Sequence, residues 1–198
     1  MQRNAVTLGR LAPDAGWGEE EPIDSFALVT YIPAPFGEFL DDLRRELVPN
    51  YIPRAHVTIL PPRPLGIEAQ AAWEYVYSRI ATCPPFVIEA TRPVIFRSTS
   101  VIFLDLGKGL DEIAMMHDIL NTGPTAAAEP FAYHPHITLA QGVTEDELPA
   151  MFGIAKRRWA AYNGEKSFRV GTVTLVQNTA SNTWRDLAQC HLGVPAAR

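Results

Sequence analysis

The chain runs twice through one order of elements, and this order constrains the fold more than any other feature. An apolar strand pattern over residues 26–32 is stopped by Pro33 and Pro35. Phe36, Phe39, Leu40, Leu43 and Leu47 then follow at helical spacing. Pro49 and Pro53 close that helix, and residues 56–60 form a short strand cut by Pro61 and Pro62. Residues 66–82 read as a helix with Ile67, Trp73, Val76 and Ile80 inward, and 86–96 as a strand. A hairpin across residues 97–100 leads into a strand over 101–106, and the order recurs. It gives a helix over 110–120, a loop through Ala126, Ala127, Ala128 and Pro130, and a short strand over 136–140. A helix to about Tyr162 follows, opened by the capping-box pair Thr144 and Glu147, then one strand over 168–177 and a last one over 184–192.

Strand, helix, short strand, helix, strand therefore occurs over 26–96 and again over 101–177. This layout predicts an α+β chain with α/β-type layering: duplicated β-α-β-α-β units, a pseudo-two-fold axis and a central cleft. One bilobed domain is expected over 25–193, with lobes of about 25–97 and 98–193 whose strands are free to exchange. Residues 1–24, rich in Gly, Pro and acids, are expected to be a flexible extension, and 194–198 a frayed tail.

Within this duplicated layout one tripeptide pattern also recurs. His56-Val57-Thr58 and His136-Ile137-Thr138 lie 80 positions apart (136 − 56), each running into an aliphatic pair. Side chains alternate faces along a strand, and same-face neighbours sit roughly 6.5–7 Å apart. Each tripeptide thus offers an imidazole and a hydroxyl to one surface and sends Val57 or Ile137 into the opposite layer. Two equivalent strands brought together by the pseudo-symmetry would surround one point with two imidazoles and two hydroxyls.

That set is suited to acid–base chemistry at phosphorus. A neutral imidazole takes a proton from water or a hydroxyl, and an imidazolium gives one to a leaving oxygen. The ordinary His pKa of about 6.5 serves both tasks. Two hydroxyls can hold non-bridging phosphoryl oxygens. Nothing in the scheme requires a metal or cofactor. A 2′,3′-cyclic phosphate, opened by in-line attack, is a fitting substrate.

Charge and composition exclude other classes. A net charge of −5 argues against an extended nucleic-acid surface but leaves room for a small phosphate ester in a local pocket. Lys156-Arg157-Arg158 reads as a solvated helix face. Cys83 and Cys190 form no CxxC pair and read as buried filler without a disulfide. No apolar run approaches the roughly 20 residues of a membrane helix, and the start lacks a signal-peptide core, so a cytoplasmic monomer without membrane contact is expected. There is no Walker A loop, which disfavours an ATP-driven ligase.

The two motifs, and above all Tyr133-His134-Pro135-His136-Ile137-Thr138-Leu139-Ala140, resemble those of the 2H phosphoesterase superfamily, the 2′-5′ RNA ligase-like and cyclic-phosphodiesterase proteins. The resemblance in layout covers most of 25–192. It implies that His56 and His136 are the catalytic acid/base pair and that Thr58 and Thr138 bind phosphate. The implied reaction is metal-independent hydrolysis of a 2′,3′-cyclic phosphate or a 2′,5′-phosphodiester, with a reversible 2′-5′ ligation alongside. The substrate would be a small nucleotide or an RNA terminus.

The chain departs from the family pattern in two places. Gln141 stands where many relatives carry a basic residue, and Pro61-Pro62-Arg63-Pro64-Leu65-Gly66 where many carry an aromatic and Gly. Phosphate neutralisation then falls to other groups, with Arg63 the nearest basic candidate and Tyr133 a candidate to stack on a base. A non-catalytic nucleotide or RNA-end-binding module is the alternative, although phosphate binding alone would favour Arg and Lys. A metal hydrolase built on His56, His134 and His136 is a third reading.

Overall fold

The computed structural model describes residues 21–48, 51 and 54–194. The expected extension over 1–20 and tail over 195–198 lie outside the described residues. Among the described residues two four-stranded antiparallel sheets are formed. The first has the order β2-β1-β7-β8, built from β1 (Pro22–Tyr31), β2 (His56–Arg63), β7 (Thr172–Thr179) and β8 (Trp184–His191). The second has the order β5-β4-β3-β6, built from β3 (Phe86–Phe96), β4 (Val101–Leu106), β5 (Ile137–Ala140) and β6 (Ser167–Val170).

Neither sheet is one half of the sequence. The third strand of the first unit, β3, pairs with β4 and β6, and the run 168–177 is two strands rather than one. β6 ends at Val170 and β7 begins at Thr172, with Gly171 between them, and the two belong to different sheets. The helices cross over as well. α1 (Phe36–Leu47) lies between β1 and β2 in sequence but packs against β5 and against α4 (Leu148–Ala161). α3 (Leu110–Leu120), between β4 and β5 in sequence, packs against β2 and α2 (Ala69–Ile80). One large apolar core joins the two sheets, running from Leu28, Leu40 and Trp73 to Ile102, Ile137 and Ala155, and a small second cluster of Ala27, Val29 and Val176 lies on the other face of the first sheet.

Several sequence expectations are corrected here. β1 starts at Pro22, inside the expected extension, and pairs there with Thr179. β2 runs through Pro61 and Pro62 to Arg63. It is an edge strand, where a residue without an N–H can face away from the ladder. Ile67 precedes α2 and is exposed, while Trp73, Val76 and Ile80 are buried as their spacing requires. The Thr144–Glu147 box forms reciprocally, Thr144 N–H donating to Glu147 Oε2 and Glu147 N–H to Thr144 Oγ1, one turn ahead of α4. Gly37 lets α1 press on the end of β1, since a Cβ there would lie 2.1 Å from the Ile32 carbonyl oxygen. Lys156, Arg157 and Arg158 are exposed, Cys190 is buried, and Cys83 is half-buried.

Candidate active site at the join of the two sheets

The first motif opens the edge strand β2 of the first sheet, the second enters the edge strand β5 of the second sheet with His136 one residue ahead of it, and these two strands touch. From Arg54 to Leu60 and from His134 to Ala140 the burial sequence is the same at all seven positions: exposed, buried, half-buried, buried, half-buried, buried, buried. The half-buried positions are the His and Thr of each motif, and Val57 and Ile137 between them are fully buried in the common core. Strand alternation thus places two imidazoles and two hydroxyls on the accessible side and anchors each strand through its middle residue.

The two rings are oriented alike. His56 Nδ1 lies 2.8 Å from the carbonyl of Arg54, and His136 Nδ1 lies 2.6 Å from the carbonyl of His134, each two residues upstream. A carbonyl only accepts, so each Nδ1 carries the proton and donates it. The neutral tautomer is therefore fixed with Nε2 as the free, basic nitrogen. Among the described residues neither Nε2 nor the Oγ1 of Thr58 or Thr138 has a protein partner, so all four polar atoms are available.

Both rings resist protonation. Burial is the main cause at His56. The hydrogen bond to the Arg54 carbonyl opposes it, while the charges of Arg44 and His136 add to it, and the pKa falls to about 4. That the charge of His136 acts on His56 is itself a sign that the two motifs share one site. Burial also lowers His136, against the pull of the His134 carbonyl and with the charge of the His134 ring. Arg44, in the last turn of α1, is buried with Nε and one terminal nitrogen unpartnered, and its guanidinium lies 3.8 Å from the Tyr51 ring centroid.

The walls of the site differ in chemistry. On the second sheet Phe96 and Phe103 stack at 3.9 Å, and His134 and His136 meet both rings edge-on. On the first sheet Tyr31, paired with His56 across β1 and β2, meets the His56 ring edge-on at 6.4 Å. Its hydroxyl donates to Asp186 Oδ1, and Arg54 lies over its ring at 3.8 Å. Nothing in the sequence marks Arg44, Arg54, Tyr31 or Asp186. Position two before a motif histidine, the same face as the motif, is the one signal that could have found Arg54.

Tyr133 does reach the site, as a tie between the motifs. Its hydroxyl donates to the Thr58 carbonyl at 2.7 Å, and His117 covers one ring face at 3.8 Å. Arg63 is corrected by the structure. It is 5% exposed and donates to Pro61 O, Asn121 Oδ1, Thr125 O and Glu129 Oε1, so its guanidinium is committed inside the protein. His134 pairs with Asp105 at 3.3 Å. Among the described residues no group of three or more His, Cys, Asp or Glu is placed to hold a metal ion. Nor is any helix among them long and apolar enough to cross a membrane.

Residues 32–182 match the family model of the 2′-5′ RNA ligase superfamily. A Staphylococcus haemolyticus protein named as a candidate phosphoesterase is 30% identical over 87 residues, 43% of this chain and 51% of the relative, so the match spans about half of that relative's length. The crystal structure of apo Escherichia coli LigT aligns with a TM-score of 0.58 at 17% identity, over 89% of this chain and 99% of that one. LigT complexed with 3′-AMP aligns at 0.60 and 17% identity, over 89% and 100%. At such identity the likeness is one of fold.

Proposed function

Since the chain belongs to the 2′-5′ RNA ligase superfamily, we propose that the join of β2 and β5 is the active site of a phosphodiesterase in which His56 and His136 are the acid–base pair. The observation that carries this reading is the twofold recurrence of one local geometry. In both motifs Nδ1–H is given to the carbonyl two residues upstream, and Nε2 and a threonine hydroxyl are left free on the same face.

The substrate is a 2′,3′-cyclic phosphate or a 2′,5′-phosphodiester of a nucleotide or RNA end. Complexes of E. coli LigT with 3′-AMP, phosphate, NADP+ and ATP support a ligand of that size and charge. Thr58 and Thr138 donate hydrogen bonds to the non-bridging oxygens. Arg44, whose charge acts on His56, supplies positive potential to the site, a task for which Gln141 is unsuited. His56, held furthest toward its neutral form, is the base in hydrolysis: its Nε2 takes a proton from water as the water oxygen bonds to phosphorus. An anion seated between the rings raises both pKa values and loads His136 with the proton it then gives to the leaving ribose oxygen. With a ribose 5′-hydroxyl in place of water, the same two proton transfers form its bond to phosphorus and break P–O3′ of the cyclic phosphate, the 3′-oxygen taking its proton from His136; this is 2′-5′ ligation.

The test is hydrolysis of 2′,3′-cyclic nucleotides and 2′,5′-linked dinucleotides in EDTA. His56→Ala and His136→Ala should each lower kcat by at least about 10²-fold, the contribution of one placed acid or base. Wild-type rates in either variant would overturn the assignment.

A further inference from the structure

The residues two positions before the motif histidines form a second matched pair, Arg54 and His134. Both are exposed, with 56% and 46% of their side chains open to solvent. Each gives its carbonyl to the ring of the histidine that follows. Each side chain is planar and rests on aromatic groups of its own sheet. The Arg54 guanidinium lies over the Tyr31 ring, 3.8 Å from its centroid, with 56% of the side chain still open to solvent. His134 meets Phe96 and Phe103 at 87° and 77°, and 46% of its side chain stays open to solvent. Each also has an aspartate from its own sheet at its rim: Asp186 of β8, 3.6 Å from Arg54, and Asp105 of β4, 3.3 Å from His134. The Tyr31 hydroxyl fixes the first of these carboxylates.

An aspartate beside Arg54 cancels much of its charge, which is the wrong provision for gripping a phosphate. What the arrangement offers is a flat surface held at a fixed angle. Nucleobases stack on guanidinium planes and on histidine rings. We propose that Arg54 and His134 are two base-stacking platforms, one on either side of the phosphate seat, and that the preferred substrate is a diester carrying a nucleoside on each side rather than a mononucleoside cyclic phosphate. The proposal rests on the phosphodiesterase reading of the site. Asp186, which steadies the first platform, lies beyond the stretch matched by the family model, so this half of the device belongs to this chain's own last strand.

The experiment is calorimetric binding to a His56→Ala/His136→Ala double variant, which removes turnover, with 2′,5′-linked diadenosine monophosphate and with 2′-AMP. The dinucleotide should bind more tightly than 2′-AMP. Arg54→Ala and His134→Ala should each weaken it roughly 5- to 150-fold, the worth of one stacked base, whereas 2′-AMP should respond to only one of them. Arg54→Lys, which keeps the charge and loses the plane, should behave as Arg54→Ala, and His134→Phe, which keeps a ring, should retain affinity. Equal affinity for both ligands, or full affinity in Arg54→Lys, overturns the platforms. Turnover by the wild-type protein separates the two readings. Equal kcat/KM for 2′,3′-cyclic AMP and the dinucleotide sinks the platforms and leaves the acid–base pair. Tight, Arg54-dependent dinucleotide binding without any turnover does the reverse.

Discussion

Replacing Arg63 with Met tests whether its guanidinium is a structural clamp or a phosphate ligand. Its side chain is 3% exposed and the carboxylate of Glu129 14%, and they meet in an ion pair at 2.5 Å. Bonds to Asn121 Oδ1 at 2.7 Å and Thr125 O at 2.9 Å tie the end of β2 to the segment after α3, and a third, to Pro61 O at 2.9 Å, stays within β2. Met fills comparable volume but leaves Glu129 with only the His117 Nε2 contact at 3.0 Å. Breaking a buried pair from one side costs about 3–5 kcal/mol. For a chain of this size each kcal/mol shifts Tm by roughly 2–4 °C, so a drop of about 6–20 °C is expected. Removing both partners, in Arg63→Met/Glu129→Gln, should restore much of the loss, because no charge is then stranded.

The pH dependence has a definite sign. Burial alone would raise the Glu129 carboxyl, but the hydrogen bonds and charges of His117 and Arg63 outweigh it and hold the group below the usual carboxylate range. A depressed acid contributes stability above its unfolded pKa and loses it as pH falls through the folded one. The gap between wild type and Arg63→Met should therefore narrow below about pH 4. Thermal melts across pH, with steady-state kinetics on the folded variant, provide the measurement. An unchanged Tm together with a raised KM would refute the clamp and return Arg63 to the phosphate.

Other expectations follow from the same site. His56 has a folded pKa of about 4 against about 6.5 when unfolded, so the unfolded chain binds the extra proton between those values. Stability should fall as pH drops from about 6.5 toward 4, and His56→Asn should flatten that slope in urea titrations; an NMR titration placing His56 near 6.5 would contradict the burial argument. Tyr133→Phe removes the donor to the Thr58 carbonyl, which should cost about 1 kcal/mol of stability. If the tie sets the spacing of the motifs, kcat should fall more than KM rises; a pure KM effect would make Tyr133 a substrate contact instead.

The parts of this architecture legible in the sequence are those set within a few residues. Alternation alone predicts that Val57 and Ile137 are buried and that His and Thr share the open face, and the apolar spacing of α1 fixes its inner side. The illegible parts depend on distant partners. Across 168–177 the pattern is continuous, and only Gly171 hints that the hydrogen-bonding partner changes from β3 to β1. Pro61 and Pro62 look like a stop because nothing local reveals an edge strand. Arg63 looks available beside a motif because the acceptors that enclose it arrive some sixty residues later, in the Asn121 to Glu129 segment.

The passage of the chain between sheets at Gly171 also sets an order of assembly. β2 carries the first histidine, yet its sheet needs β7 and β8 from the far end of the chain. At ribosomal speeds of about 5–20 residues per second, β7 follows β2 by roughly 5–20 s, during which β3, β4 and β5 are already in hand. The second sheet lacks only β6 at that stage, while the first is still the pair of β1 and β2. Nor can the gene be cut at its midpoint into two folding halves: each fragment would hold strands and a helix that belong to the other. A duplicated ancestry, if the two units share one, has been overwritten by a mutual dependence that makes the first histidine early in synthesis and late in installation.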